Sequence, residues 1–440
     1  MNKSIFPSSV LTGTIFTPAD KSISHRAAIL NALAEGYANI NNYSQGADCR
    51  ATLDCLEALG VIIEGYPDSE DMRSRPANLL IKSPGIDGLR EPEDILDAKN
   101  SGTTMRLLLG ILASLPFFSV ITGDRSLRSR PMGRVCHPLS LMGAEIMGRQ
   151  GSSTSPIALR GGNLNGIDYI LPVASAQLKS ALMLAAMFAE TDTILHQPAL
   201  SRDHTERMIG AMGASVIEDG MSLKISPVGK IKPLDVTVPG DISSAAFWMV
   251  AAVCHPNAKL KLVNVGINPG RTGIVDVLEG MGAKIKMENL RTEGGEPVAD
   301  LLVESSDLHG IEVRGDIIPR SIDELPLIAL AACFAKGKTV IRDAEDLRNK
   351  ESDRISMTVK ELNRVGARLK ELPGGFSIEG KGYLDGGIGS SHGDHRLAMT
   401  LGIAGLLCQN SVVVEGSQVV DVSYPDFWRD MDLAAGNEQF

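Results

Sequence analysis

A short element recurs six times along this 440-residue chain, and it limits the folds that the chain can adopt. Each copy is an apolar helical pattern, a glycine typical of a left-handed C-cap and an alternating stretch that predicts a strand, as in LEALGVII. The third copy, SVIEDGMSLKI, also predicts a hairpin with an Asp-Gly turn. The repeat therefore predicts six units that each combine helix and strands, a duplicated α/β architecture. The glycines are Gly60, Gly143, Gly213, Gly282, Gly366 and, in a degenerate copy, Gly436.

A second element also recurs six times. It opens with polar residues and continues as a helix that is apolar on nearly every side, which is the pattern of a buried helix. Serine, asparagine and aspartate at such starts suit helix capping. The unpaired N–H groups at a helix N-terminus also attract anions. The copies start at residues 20, 100, 175, 241, 323 and 394.

Cations within or just after these helix starts exceed what capping requires. A helix dipole favours cations at its C-terminus, so their position here predicts that a bound anion compensates them. The arginine-rich segment GDRSLRSRPMGR is either an exposed loop or a further anion-recognition segment. His25 and His395 each precede an arginine at a helix start, and we interpret both as structural. The cations at the helix starts are Lys21, Arg26, Arg106, Lys179 and Arg396.

Composition and charge argue against several classes of protein. The net charge of −10 and the aromatic content of 4% do not fit a nucleic-acid surface of basic stripes and stacking rings. The six cysteines form no C-x-x-C pair and no cluster with histidine, which favours free thiols over disulfides or a zinc site. The N-terminal stretch lacks a targeting pattern, and the apolar runs are shorter than the roughly 20 residues of a membrane span. We expect a cytoplasmic protein.

Eight sequence blocks that carry these features resemble the 5-enolpyruvylshikimate-3-phosphate synthase family, the enolpyruvyl transferases of the shikimate pathway. The blocks occur in family order between residues 20 and 399. The motifs NSGTT and SAQLKS resemble those of the second bacterial class of the family. The first class has a lysine near the C-terminal YPD, where this chain has Val422, so we assign no late lysine to the site. The blocks are DKSISHR, NSGTTMR, SLRSRPMG, SAQLKS, SRDHTE, IDELP, KESDR and GDHRLAM.

The resemblance implies a two-domain enolpyruvyl transferase fold, an inside-out α/β barrel in which each domain has three β/α repeat units around buried helices. The N-terminal lobe would comprise residues 21–240, and residues 1–20 with 241–440 would form the C-terminal lobe. The active site would lie in the interdomain cleft. We also expect a monomer with small-molecule substrates, without a metal, a cofactor, a nucleic-acid partner or a membrane partner.

The implied reaction moves the enolpyruvyl group of phosphoenolpyruvate onto the 5-hydroxyl of shikimate 3-phosphate and releases phosphate. It requires a base for the hydroxyl, an acid that later acts as a base at the methyl group, and cations for the phosphate. By motif matching, Asp323 would take the hydroxyl proton and Glu351 would serve the methylene carbon, with Lys21 beside both. Shikimate 3-phosphate would be bound by Lys21, Ser22, Arg26, Ser175, Gln177, Arg202, Asp323 and Lys350. Phosphoenolpyruvate would be bound by Lys21, Gly102, Arg130, Gln177, Arg354 and Arg396.

Two alternatives remain open from the sequence. The UDP-N-acetylglucosamine enolpyruvyl transferases share the fold and the enolpyruvyl donor. They typically carry a reactive cysteine in the loop before the RP element, whereas GDRSLRSRP has none. A non-catalytic phosphometabolite-binding protein of the same fold would have no use for the carboxylates Asp323 and Glu351.

Overall fold

The computed structural model describes residues 1–66 and 77–436, and the chain divides into two compact units. The unit that we call the N unit comprises Ala19–Val238 and the short segment Thr292–Glu296. The C unit comprises the rest of the chain, namely Met1–Pro18, Pro239–Arg291 and Pro297–Phe440.

Short strands are distributed along the whole described chain. In chain order they are β1 Asn2–Ile5, β2 Leu11–Phe16, β3 Glu35–Tyr43, β4 Ile62–Glu64, β5 Ala77–Pro84, β6 Leu96–Asp97, β7 Phe118–Thr122, β8 Glu145–Gly148, β9 Thr154–Arg160, β10 Asp168–Ile170, β11 Thr193–His196, β12 Val216–Asp219, β13 Ser222–Ile225, β14 Val236–Thr237, β15 Ala258–Gly266, β16 Lys284–Glu293, β17 Glu296–Glu304, β18 Glu312–Val313, β19 Lys338–Ile341, β20 Leu369–Leu372, β21 Gly375–Glu379, β22 Gly387–Ser390 and β23 Val412–Glu415.

Helices alternate with these strands. They are α1 Lys21–Leu33, α2 Ala47–Ala58, α3 Gly102–Leu112, α4 Gly133–Leu141, α5 Arg149–Ser152, α6 Ala176–Ala186, α7 His204–Ala211, α8 Ile242–Cys254, α9 Gly273–Gly280, α10 Ile317–Ser321, α11 Leu325–Phe334, α12 Arg354–Arg364, α13 His395–Leu407 and α14 Phe427–Ala434.

Small mixed sheets form the outer layer of each unit. In the N unit the strand orders are β14-β3-β5-β4, β6-β7-β9-β8 and β10-β11-β13-β12. In the C unit they are β16-β17-β15-β2, β18-β19-β21-β20 and β1-β23-β22. The hairpin predicted in the third repeat is confirmed as β12–β13, where Asp219 pairs with Ser222 and Gly220 follows with a φ of 57°. The α/β fold class predicted from the repeat is confirmed.

Both repeated elements are confirmed as well. The second element corresponds to α1, α3 and α6 in the N unit and to α8, α11 and α13 in the C unit, and these helices are buried on nearly every side. Gly110 shows how closely they pack, because a Cβ there would stand 2.2 Å from the carbonyl oxygen of Ala181. All six repeat glycines have positive φ, as the predicted left-handed C-caps require: Gly60, Gly143, Gly213, Gly282, Gly366 and Gly436.

Each unit has its own hydrophobic core, built mainly from its three buried helices and the inner faces of its sheets. In the C unit, Trp248 on α8 packs against Tyr424 and Phe427 and donates a hydrogen bond to the Tyr424 hydroxyl at 3.1 Å. The six cysteines are free thiols, as predicted. Among the described residues, no helix is both long and apolar enough to cross a membrane.

Candidate active site

Capping residues begin the three buried helices of the N unit. Asp20 accepts a hydrogen bond from the backbone N–H of Ile23 at 2.9 Å, and Ser101 accepts one from that of Thr104 at 3.1 Å. Ser175 caps α6 in the same way. These polar residues therefore satisfy backbone N–H groups, and the cations beside them need a separate explanation.

Lys21, the first residue of α1, forms an ion pair with Asp48 in the first turn of α2. The Lys21 side chain remains 39% exposed, so its ammonium is accessible to a ligand. Burial alone would raise the pKa of Asp48, but Lys21 lowers it below its usual value, and the carboxyl is ionised at neutral pH. Asp48 belongs to none of the sequence motifs, and its position just after Gly46 at a helix start is the signal that points to it.

Arg26 is buried, in contrast to Lys21. Its guanidinium donates from Nε to Thr205 Oγ1 at 2.7 Å, from Nη1 to the carbonyl of Ser22 at 3.0 Å and from Nη2 to Ser180 Oγ at 2.8 Å. Burial lowers the pKa of Arg26 to about 10, which leaves it charged at neutral pH. Arg26 thus links α1, α6 and α7 to one another.

Gly102, the first residue of α3, lies beside two arginines. A Cβ at this position would stand 2.9 Å from Nη1 of Arg106 and 3.4 Å from Nη1 of Arg130. Arg106 donates to Oε1 of Gln177, and Arg130 donates to Oδ1 of Asn100 at 2.7 Å. Burial lowers the pKa of Arg106 to about 10, and neighbouring arginines act in the same direction. The structure brings Gly102, Arg130 and Gln177 together and adds Arg106 to them.

The remaining N-unit candidates lie at the same helix starts or near them. Ser22 and Ser175 are half-buried at the starts of α1 and α6. Arg202 is half-buried in the loop between β11 and α7. The N-unit cluster therefore combines accessible cations with hydroxyl groups at two helix N-termini, those of α1 and α6.

In the C unit, the candidates gather around Arg354, the first residue of α12. The buried guanidinium contacts three carboxylates: Asp394 at 2.7 Å, Glu351 at 2.5 Å and Asp323 at 3.4 Å. Burial alone would lower the pKa of Arg354, but the carboxylates outweigh it and raise the pKa above its usual value. Asp394 also caps α13 and is fully buried, so the Arg354–Asp394 ion pair is the most deeply buried part of this cluster.

Glu351 is the most exposed of the three carboxylates, with 42% of its side chain accessible. The part of the Glu351 side chain that is buried opposes ionisation, but the Arg354 guanidinium lowers the pKa of Glu351 below its usual value. Glu351 is therefore a carboxylate at neutral pH in this structure. It is in the form that accepts a proton, not the form that delivers one.

Lys350 and Arg396 flank Asp323. Nζ of Lys350 lies 3.4 Å from Oδ1 of Asp323, and Nη1 of Arg396 lies 3.4 Å from the Asp323 carbonyl oxygen. Arg396 also approaches Oε1 of the buried Glu324 at 3.8 Å, and that oxygen accepts a hydrogen bond from Ser243. The C-unit cluster thus presents two accessible cations next to two carboxylates.

The candidate residues form two clusters, one in each unit. Sequence motifs did not indicate the partners that hold them. Asp48 lies outside the six recurring helix starts, and Glu324 and Asp394 lie in the IDELP and GDHRLAM blocks without a role assigned to them. Across residues 1–66 and 77–436, no group of three His, Cys, Asp or Glu side chains is arranged to hold a metal ion. The N-unit cluster is Lys21, Ser22, Arg26, Gly102, Arg130, Ser175, Gln177 and Arg202. The C-unit cluster is Asp323, Lys350, Glu351, Arg354 and Arg396.

Known proteins resemble this chain over almost its whole length. A family model described as EPSP synthase (3-phosphoshikimate 1-carboxyvinyltransferase) matches residues 5–431. The chain is 52% identical over 427 residues to a 3-phosphoshikimate 1-carboxyvinyltransferase of Desulforudis audaxviator, covering 97% of this chain and 98% of that relative. A protein of the same name from Bacillus subtilis is 48% identical over 423 residues, covering 96% of this chain and 97% of that relative. A solved EPSP synthase from Acinetobacter baumannii superposes with a TM-score of 0.91 and 41% identity, over 99% of this chain and 98% of that one.

Proposed function

The chain belongs to the EPSP synthase family, and we propose that the two clusters carry out the reaction of that family. The reaction is 3-phosphoshikimate 1-carboxyvinyl transfer, in which the enolpyruvyl group of phosphoenolpyruvate passes to the 5-hydroxyl of shikimate 3-phosphate and phosphate leaves. It is a step of the shikimate pathway of aromatic amino acid biosynthesis. Both substrates are polyanions, which explains why a chain with a net charge of −10 concentrates cations at its helix starts.

Shikimate 3-phosphate binds mainly to the N-unit cluster in this proposal. The accessible ammonium of Lys21 and the half-buried Arg202 supply charge, while Ser22, Ser175 and Gln177 supply hydrogen bonds. Helix N-termini add partial positive charge at the same place. Arg26 belongs to this site through Ser22, whose carbonyl it holds, because its own guanidinium is buried among protein partners. Lys350 and Asp323 of the C unit complete the binding of this substrate.

Phosphoenolpyruvate binds where bare backbone and arginines lie together. Gly102 offers a helix N-terminus without a side chain, beside Arg130 and the amide of Gln177, and Lys21 lies in the same cluster. Arg354 and Arg396 supply the cations of the C unit. Arginine forks suit phosphate and carboxylate groups, both of which this substrate carries.

Proton transfer falls to the two C-unit carboxylates, with Lys21 as the third catalytic residue. Asp323 takes the proton of the 5-hydroxyl as the oxygen attacks C2 of phosphoenolpyruvate. A substrate anion at Arg354 competes with Glu351 for the same guanidinium, and a carboxylate that loses its cation regains a higher pKa. Glu351 then holds the proton that it delivers to the methylene carbon, and it takes one back from the methyl group as phosphate leaves.

The single observation that carries this proposal is the contact of Arg354 with Asp323 and Glu351, because it places two carboxylates on one anion-binding arginine. Phosphorus NMR of the reaction mixture tests the assigned substrates. Shikimate 3-phosphate with phosphoenolpyruvate is expected to give inorganic phosphate and a new phosphate ester signal. Phosphate formed with UDP-N-acetylglucosamine as the acceptor, and none with shikimate 3-phosphate, would refute the assignment.

The proposal further holds that the enzyme is a cytoplasmic monomer with one active site in the cleft between its domains. Free thiols at all six cysteines fit a reducing compartment. Light scattering on the purified protein tests the monomer, since a dimer would have twice the mass of 46.8 kDa.

A further inference from the structure

Lys179 on α6 is a buried cation that none of the roles above uses. Its side chain is only 2% exposed, and its Nζ lies 2.5 Å from Oε1 of Glu206 on α7. The same ammonium donates to Oε1 of Gln197 at 3.1 Å and to the carbonyl oxygen of Ser201 at 3.3 Å. Three protein oxygens therefore surround this ammonium.

The partners of Lys179 hold both ends of the loop at residues 197–203, which carries Arg202. Gln197 directly follows β11, and Ser201 directly precedes Arg202. The hydroxyl of Ser201 also donates to Oε1 of Gln197 at 3.1 Å, so the loop closes over the ammonium. Removing the ammonium would leave the Ser201 carbonyl without this donor.

Stability alone does not account for a charge at this place. Burying an ion pair costs desolvation free energy that the attraction between the charges barely offsets. Apolar residues of similar size often stabilise a core equally well. Burial raises the pKa of Glu206 in spite of Lys179, and Oε2 of Glu206 has no hydrogen-bond partner among the described residues. The ammonium, in contrast, uses its three donors, and two of them go to the loop.

We propose that Lys179 is a positioning residue that fixes the loop at 197–203, so that Arg202 is held ready for an anionic group of shikimate 3-phosphate. This inference rests on the proposed function, which assigns Arg202 to that substrate. Arg26 strengthens the arrangement, because it donates to Ser180 and Thr205, the sequence neighbours of Lys179 and Glu206. Two links therefore join α6 to α7 next to the loop: the Lys179–Glu206 ion pair and the hydrogen bonds of Arg26.

The test compares four variants of the full chain: Lys179→Met, the double variant Lys179→Met with Glu206→Met, Arg202→Gln and the control Lys224→Met. Lys224 is a matched control because it forms an exposed ion pair with Asp192 and lies on β13, the strand that pairs with β11. The measurements are the Kd for shikimate 3-phosphate by calorimetric titration, the KM for phosphoenolpyruvate and the Tm. The single variant leaves a carboxylate buried alone and should lower the Tm, whereas the double variant should recover it.

We expect the Kd for shikimate 3-phosphate to rise about tenfold in both Lys179 variants, the scale of one hydrogen bond to a charged group. The KM for phosphoenolpyruvate should stay near its wild-type value in both, as should every constant of Lys224→Met. If the double variant recovers the wild-type Kd together with its Tm, the inference is wrong, because Lys179 then only compensates the charge of Glu206. A wild-type Kd in Arg202→Gln would instead refute the assignment of Arg202 in the proposed function.

Discussion

At the scale of single residues, the account depends most on the carboxylates that share Arg354. We predict that Asp323→Asn and Glu351→Gln each lower kcat by roughly 10²-fold or more, the scale of general acid–base catalysis. Each substitution keeps the shape of the side chain and removes the group that transfers the proton. Steady-state phosphate release measures the effect, with Asp346→Asn in the neighbouring exposed segment as the control.

The affinity for shikimate 3-phosphate distinguishes the role of Glu351 from that of Asp323. Shikimate 3-phosphate should bind Glu351→Gln with a nearly unchanged Kd, because Glu351 acts on the other substrate. Turnover that falls less than tenfold in both variants would contradict the assignment of the chemistry to these residues.

Gly102 carries a prediction about the herbicide glyphosate, which occupies the phosphoenolpyruvate subsite in this family and is longer than the substrate. A methyl group at this position would project toward Arg106 and Arg130, into the predicted anion subsite. One methylene-sized difference in a pocket changes binding by about 10- to 200-fold. Gly102→Ala should therefore raise the inhibition constant for glyphosate more than the KM for phosphoenolpyruvate. Gly210→Ala, where a Cβ meets nothing within 4 Å, is the control, and equal shifts in the two constants of Gly102→Ala would contradict the placement.

At the scale of elements, a buried hydrogen-bond network joins α1 and α3 to α2. Nδ1 of His25 lies 2.6 Å from Oγ1 of Thr52, which lies 2.6 Å from Oγ1 of Thr104. Thr104 in turn donates to Oγ of Ser101 at 2.7 Å. These hydrogen bonds fix the helix start at Gly102 relative to the one at Lys21. They give His25 the structural role that its sequence position indicated.

His25 also makes the stability of the N unit depend on pH. Burial lowers the pKa of His25 from 6.5 to about 3. Between these values the unfolded chain binds a proton that the folded chain does not, so the free energy of unfolding falls as the pH is lowered, by about 1.4 kcal/mol per pH unit. His25→Asn should remove this part of the slope in urea unfolding between pH 6.5 and 4.5. The exposed His137→Asn is the control, and a wild-type slope in His25→Asn would show that the buried ring does not stay neutral.

Elements with a local signal were predictable from the sequence, and contacts between distant elements were not. Polar starts and terminal glycines indicated the buried helices and their caps, since capping involves residues within one turn of each other. The pairing of Arg354 with Asp394 could not be found in this way, because Asp394 follows it by 40 positions and its sequence position indicates a cap for another helix. The burial of Arg26 was equally hidden, since it depends on α6 and α7.

At the scale of the whole molecule, the proposal requires cations from both units to act on the same two substrates. If one site takes cations from both units, like charges such as Lys21 and Lys350 would repel each other there until a substrate anion binds. We predict that shikimate 3-phosphate draws the domains together and completes the site for phosphoenolpyruvate. Small-angle scattering should show a smaller radius of gyration with this ligand than without it, and an unchanged value would contradict the predicted closure.

The most direct test of one active site built from both units is the rate of phosphate release by three proteins: the wild type, Lys21→Met and Asp323→Asn. Lys21 belongs to the N unit and Asp323 to the C unit. The account predicts phosphate release by the wild type only when both substrates are present, and a kcat at least about 10²-fold lower in each variant. Wild-type turnover in either variant would contradict it, because the chemistry would then not need the cluster of that unit.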